Sequence, residues 1–305
     1  MNISAERQSL TVRAAAWYLR DFPIERGKGW VNRILGKFIR VRVFDGIRLR
    51  LLNPLEFHQR PLLFGTEQYE PQIVNLLASA LGPGRVVFDV GANLGYHTLL
   101  AGKIVGSEGS VHAFEPAPVQ FKHLALNVKI NRARNVVLNN CAVAESSEDR
   151  EFFLSTGWNQ GTHSLGRTAG QPESCRVRCV SLDEYVEKRS IRRVDAIKVD
   201  VEGAELSVFK GASRLLASKP PSLLIFEACE EFCRQFGSST TDVKQLIEQY
   251  GYSLYYCDAG PDPVRVSAPE KEEYANIVAI HSGADDAYYD ALRAVCKAGA
   301  ECKNK

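Results

Sequence analysis

The chain has 305 residues, of which 45% are apolar and 24% charged, and its formal net charge is +2. These values exclude a disordered or fibrous chain and leave room for one large α/β domain with an extension. No stretch reaches the roughly 20 apolar residues that cross a bilayer, and no signal-peptide pattern opens the chain, so the expected compartment is the cytoplasm.

The charge is unevenly spread. Met1 to Arg50 carries eleven Lys/Arg against four Asp/Glu, which reads as a solvated extension or as a segment for peripheral membrane contact. Aromatic residues do not alternate with these bases as a base-stacking surface needs, so no nucleic-acid partner is expected. The eight cysteines form no C-x-x-C pair and have no neighbouring His pair, so they read as free thiols and not as a metal site.

In chain order, Ala14 to Leu19 and Trp30 to Ile39 read as short amphipathic helices broken by Pro23 and Gly27-Lys28-Gly29. Residues 41–52 alternate with period two around Asp45-Gly46, a hairpin signal. Glu67 to Leu81 predict a helix with Ile73, Val74, Leu76 and Leu77 on its apolar side, stopped by Gly82-Pro83-Gly84. The stretch Val86 to Thr98 then supplies a buried strand, an acid at its tip (Asp89), a turn with Gly91 and Gly95, and the start of a helix. The G-x-G-x-x-G spacing of a dinucleotide site is absent, and a carboxylate beside a pyrophosphate would repel it. Asp89 suits a ligand with a positive group, such as the ammonium or sulfonium of S-adenosylmethionine; a plain turn with a capping Asp is the other reading.

A second strand, Ser110 to Phe114, ends in Glu115, placed to accept ribose hydroxyls in a βαβ unit. A helix through Phe121 to Val128 and a third strand, Asn135 to Val143, follow. Glu151 to Ser155 and Cys175 to Val180 read as two strands joined by a polar loop that contains His163, either a base or a solvated loop histidine. After a helix at Ser181 to Glu187, the strand Val194 to Val199 runs into Asp200, Glu202 and Glu205. Asp200 should share a crevice with Asp89, and paired acids there could act as a base, hold a substrate hydroxyl or bind a divalent cation. A fifth strand, Ser222 to Glu227, a helix from Asp242 to Tyr250, an antiparallel pair at Tyr252 to Cys257 and Tyr274 to Ile280, and a helix from Asp285 to Lys297 complete the chain.

Taken together, FDVGANLGYHT, HAFEP, the stretch with Asn127 and Asn131, SLDEY and IKVDVEGAELSVFKGA resemble the FkbM family of S-adenosylmethionine-dependent methyltransferases, from about Glu67 to His281. The resemblance implies an α/β, Rossmann-like class I methyltransferase fold. Its mostly parallel sheet should have seven strands with an antiparallel last strand, helices on both faces, and an N-terminal helical and hairpin extension (1–66) before the 67–282 domain and a C-terminal helix (283–305). It implies S-adenosylmethionine as cofactor and an oxygen acceptor on a small molecule, glycan or lipid-linked hydroxyl. Carried residue by residue, it puts Asp89, Gly91, Asn93 and Gly95 at the methionine end, with Ala92, Tyr96 and Thr98 in the same loop. Glu115 goes to the ribose, Asn140, Cys141 and Ala142 to adenine, and Asp200 and Glu202 near the methyl group. The candidate bases are Asp200, Glu202 and His163. A binding module without catalysis and a methyltransferase acting on protein are the alternatives; no metal ligand set is assigned, although a divalent cation would suit the paired acids.

Overall fold

Apolar runs too short to be helices lie side by side because each is buried on both faces. The computed structural model describes residues 40–43, 46–52, 70–154, 163–166, 173–257, 262–268 and 273–303. The two amphipathic helices expected before residue 40, and most of the polar loop around His163, lie outside these residues. In order come β1 (Arg40–Val43), β2 (Ile47–Arg50), α1 (Pro71–Ala80), β3 (Val86–Val90), α2 (Tyr96–Val105), β4 (Ser110–Phe114), α3 (Pro118–Asn131) and β5 (Val136–Asn139). Next are β6 (Ala142–Val143), β7 (Asp149–Leu154), β8 (Glu173–Val180), α4 (Leu182–Lys188), β9 (Ala196–Val199), α5 (Glu205–Lys210) and α6 (Ser213–Ser218). The chain continues with β10 (Leu223–Ala228), α7 (Glu230–Gln235), α8 (Thr240–Gln249), β11 (Tyr252–Tyr256), β12 (Val264–Arg265), β13 (Ala275–His281) and α9 (Asp286–Lys303).

The main sheet runs β12-β11-β13-β10-β9-β3-β4-β5. Its five strands from β5 to β10 are parallel, and β13 is antiparallel to both β10 and β11. This is the expected Rossmann-like, class I order with an antiparallel last strand. The expected count of seven becomes eight because β12, two exposed residues long, pairs with edge strand β11. The single third strand expected over Asn135 to Val143 is divided. The Asn139 amide turns back onto the Ala113 carbonyl, and β6 leaves the main sheet to pair with β8. With β7, these two form a separate three-stranded sheet. The expected helix at Glu67 is described only from Pro71. There Pro takes the first helical position, where its missing N–H costs nothing, and Glu70 before it is left-handed.

Alternation along the strands sends side chains to two cores. Val87 of β3 and Ala196 of β9 pack with α1, α2 and α9, while Phe88, Val90, Ile197 and Val199 pack with α4, α5, α6 and α8. Asp89 and Lys198 share the parity of Val87 and Ala196 and are direct register neighbours. The sheet face under α1 and α2 therefore turns polar at its carboxyl edge. Among the described residues no helix is long and apolar enough to cross a membrane. Seven of the eight cysteines are described, and all seven are free thiols.

The hairpin β1–β2 has the expected register, with Val43 opposite Ile47. Its second strand docks on α3 through two asparagine amides. Asn131 receives Arg48 N–H at 2.8 Å, and Asn127 receives Arg50 N–H at 2.8 Å. Asn127, fully buried, also donates to the Arg50 and Leu94 carbonyls, tying the hairpin to the turn after β3. Asn127→Ala strands those backbone groups, and urea unfolding should show a loss of about 1–3 kcal/mol with an unchanged m-value.

Candidate active site

The chain's acids collect where β3, β4, β9 and β10 end. Asp89, 2% exposed, accepts a hydrogen bond from the Thr98 hydroxyl on the first turn of α2. Its other oxygen has no hydrogen-bond partner among the described residues. Burial raises its pKa, opposed by Lys198. The turn that follows is held from two sides: the N–H groups of Gly91 and Ala92 both donate to the Phe114 carbonyl. Gly91 has φ +84°, and a Cβ there would sit 1.8 Å from the Asp200 carbonyl oxygen. Only glycine lets the β3 and β9 turns approach so closely. Asn93, also left-handed at φ 48°, donates its N–H to Glu115.

Glu115 is clamped by that N–H and by the N–H of Ala117, each at 2.8 Å on a different oxygen. Each oxygen keeps a lone pair for a ligand hydroxyl. Burial pushes its pKa up to about 7 despite those two bonds.

Beyond β9, Lys198, 7% exposed, donates to Asp200 at 2.8 Å. Burial opposes its charge, but Asp200, Glu70 and Asp89 outweigh burial and raise its pKa. Glu202 has φ 55°, and Gly203 after it has φ +100° with the Phe232 backbone 2.5 Å from where a Cβ would lie. This turn is braced from inside by Glu205, which accepts from the N–H groups of Val201 and Gly203. Burial, then Glu227, Asp200 and Glu205, raise the Glu202 pKa well above the usual carboxylate range. Glu227 at the end of β10 is pushed up to about 8, by burial first and then by Asp200 and Glu205. The Tyr274 hydroxyl opposes that rise. Carboxylate oxygens of Asp200, Glu202 and Glu227 lie within 4.8 Å of one another, a spacing that suits a divalent cation.

Of these groups Gly91, Asn93, Glu115, Asp200, Glu202 and Glu227 line a crevice of about 880 Å³, mouth included, while Asp89 and Lys198 are buried behind its wall. His163 stands on its far wall beside Phe152, and its Nε2 is 2.6 Å from the Gln120 amide nitrogen. Burial takes its pKa down to about 4, so the ring is neutral. The amide donates to the lone pair that a base at Nε2 would use. The neighbouring Ser164 pairs with Phe153 and donates to the Glu202 carbonyl at 3.2 Å, so this part of the loop rests on the β9 turn.

A family model for the methyltransferase FkbM domain matches residues 89–254. The chain belongs to the FkbM methyltransferase family. It is 35% identical over 150 residues to the hexuronic acid methyltransferase AglP of Haloferax volcanii, a match covering 49% of this chain and 59% of that protein. It is 31% identical over 159 residues to the 31-O-demethyl-FK506 methyltransferase FkbM of Streptomyces tacrolimicus, covering 43% of this chain and 60% of that one. The chain thus spans 59% and 60% of these curated relatives' lengths. A crystal structure of methyltransferase FkbM from Methylobacillus flagellatus KT overlays with a TM-score of 0.42 at 16% identity, covering 65% of this chain and 43% of that one.

Of the residues that the FkbM resemblance singles out, Gly91, Asn93, Glu115, Cys141, Ala142, Asp200, Glu202 and His163 line the crevice. Thr98 holds Asp89 from behind. Asn140 is exposed and clamps the Glu115 and Pro116 carbonyls, while Gly95 faces Leu124. Tyr96 is buried against His97, and Ala92 packs with Ala113 and Leu124. Sequence reasoning missed Glu70, Gln120 and Tyr274 as lining residues and left Glu227 as a strand tip. Its one usable signal was that a fourth strand also ended in an acid.

Glu205 offers a test of this turn. Its folded pKa is pushed by burial from 4.5 to about 7, so between those values the folded chain keeps a proton that the unfolded chain has lost. That stabilisation is complete below pH 4.5 and disappears as the pH rises through 7. The limiting size is about 3 kcal/mol. Thermal melts between pH 4.5 and 7 should therefore fall less steeply for Glu205→Gln, which keeps the acceptor but does not titrate, than for the wild type.

Proposed function

We propose that the protein transfers a methyl group from S-adenosylmethionine to a hydroxyl oxygen of a sugar, glycolipid or polyketide-like molecule. The observation that carries this reading is the set of acids at the ends of adjacent strands: Glu115, Asp200 and Glu227 line one crevice, and Asp89 is buried behind its glycine turn. Asp89 keeps a buried carboxylate oxygen without a hydrogen bond, which suits a cationic donor group and disfavours a pyrophosphate. Glu115 retains lone pairs for ribose hydroxyls, and Cys141, Ala142 and Val143 give an apolar wall for a purine. The names of the two relatives, one acting on a hexuronic acid and one on an O-demethyl polyketide, support an oxygen acceptor.

When bound, S-adenosylmethionine supplies an electrophilic methyl carbon for in-line displacement. The protein's share is alignment, exclusion of water and removal of the hydroxyl proton. Asp200 takes that proton in this reading. Lys198 fixes one of its oxygens at 2.8 Å, leaving the other for the acceptor, and the Gly91 contact fixes its backbone. Glu202, its pKa raised by burial and then by Glu227, Asp200 and Glu205, and Glu227, raised by burial and then by Asp200 and Glu205, stand beside it. His163 is the weaker candidate because Gln120 already occupies its Nε2.

With radiolabelled S-adenosylmethionine and cell extract, label should enter a glycan or small-molecule fraction. Asp200→Asn should lower that transfer by about 10²–10⁴-fold while the protein stays folded, read as an unchanged far-ultraviolet circular-dichroism spectrum. Unchanged transfer removes Asp200 from the mechanism; retained cofactor binding with no labelled fraction favours a binding module. The oxygen cluster of Asp200, Glu202 and Glu227 supports a second reading, in which a divalent cation acidifies the acceptor hydroxyl. Transfer abolished by a chelator and restored by added magnesium would support it, and chelator-insensitive transfer excludes it.

A further inference from the structure

Glu70 lies outside the stretch matched to the family, residues 89–254, yet its side chain lines the same crevice. It immediately precedes α1, in a left-handed conformation (φ 44°, ψ 51°), with Pro71 as the first residue of the helix. Helices α1 and α2 cover the sheet face on which Asp89 and Lys198 are neighbours. The start of α1 therefore delivers a third acid to that corner. The Glu70 Oε2 is 3.3 Å from His97 Nε2 but accepts no hydrogen bond among the described residues, and the Asp89 Oδ1, fully buried, accepts none either.

One ammonium, Lys198, serves Asp89, Glu70 and Asp200, and its hydrogen bond goes to Asp200. Burial drives the His97 pKa well down, so the imidazole adds no positive charge. Burial also lifts the Glu70 carboxyl to about 7, with Asp200 and Asp89 adding to the rise against Lys198. Among the described residues the corner has more buried carboxylate than cation, and two of its oxygens lack donors. Metal-ligand spacing is met by Asp200, Glu202 and Glu227, not by Asp89 with Glu70. A primary ammonium, with three N–H groups, answers both deficits at once.

We propose that Glu70, together with Asp89, binds the ammonium of the cofactor's amino-acid end, so that a segment preceding the matched family core completes the cofactor site. This rests on the reading that the crevice holds S-adenosylmethionine, and the test separates the two. Calorimetry on the full-length protein compares S-adenosylhomocysteine, which keeps the amino acid, with 5′-methylthioadenosine, which lacks it. Glu70→Gln should weaken S-adenosylhomocysteine binding by about 10- to 100-fold, the span of a charged hydrogen bond, and leave methylthioadenosine within about twofold. Equal losses for both ligands, or no loss for either, overturn the proposal while the cofactor reading stands. Failure of the wild type to bind either ligand overturns both. A second arm needs no variant: the wild type should prefer S-adenosylhomocysteine to its 2-hydroxy analogue, in which a hydroxyl replaces the ammonium, by at least about tenfold. Equal affinity for that pair also overturns the assignment, whether or not Glu70→Gln folds.

Discussion

The carboxyl edge of the sheet depends on one buried ammonium. Lys198 sits in a strand interior where an apolar residue would ordinarily be packed, and burial alone would expel its charge. It stays because Asp200, Glu70 and Asp89 face it from three different segments: the β9 turn, the entry to α1 and the tip of β3. A buried charge cannot be left uncompensated without a cost of several kcal/mol. The lysine therefore fixes where these segments come together, and the acids in turn determine what sort of ligand the crevice can accept.

The backbone around that ammonium is bent into conformations that a chain adopts only when held. Gly91 and Gly203 remove Cβ atoms that would strike backbone, of Asp200 in one case and Phe232 in the other. Asn93 and Glu202 carry side chains in the same left-handed region, at a cost on the order of 1–2 kcal/mol each. The constraints holding them are visible. Glu115 bonds the Asn93 N–H, Glu205 bonds the N–H groups on both sides of Glu202, and Ser164 bonds the Glu202 carbonyl. Three acidic or polar side chains, Glu115, Glu205 and Ser164, thus shape the turns before any ligand arrives. Glu205 and Asn140 belong wholly to that work, as does Asp183 in the SLDEY stretch, whose carboxylate accepts from the backbone of Arg214 and Leu215 to start α6.

What could be read from the sequence follows the same division. Strands buried on both faces declare themselves as apolar runs, and the acid or glycine at each tip marks the edge, so β3, β4, β9 and β10 and their tip residues were legible. A two-residue strand such as β12 has no periodicity to read. The break between β5 and β6 was hidden because Asn139 and Asn140 act through side-chain bonds to strand-end carbonyls, which no pattern of apolar spacing encodes. Glu70 was illegible for a different reason. It stands between a proline and an unremarkable polar stretch, and only the sheet's parity, which puts Asp89 and Lys198 beneath the start of α1, makes it a neighbour of residues more than a hundred positions away.

That parity also separates rigidity from chemistry. On the face under α4, α5, α6 and α8, the residues of β3, β9 and β10 are apolar up to the edge, and Phe88, Phe114 and Tyr185 stack edge to face with centroids 4.8–5.8 Å apart. On the face under α1 and α2, the last positions of the same strands carry Asp89, Lys198 and Glu227. Tight packing on one side fixes the backbone from which the charges on the other side project, so the polar corner is held to position without being packed shut. The walls farthest from the glycine turn come from elsewhere: His163 from the polar loop, and Tyr274, 60% exposed, from the entry to β13. Tyr274 lies beyond residue 254, where the family match ends. The part of the crevice lined by Val90, Gly91, Phe114 and Glu115 is thus built from strand ends and the turns after them, whereas His163 and Tyr274 come from loop residues that can vary without disturbing Lys198.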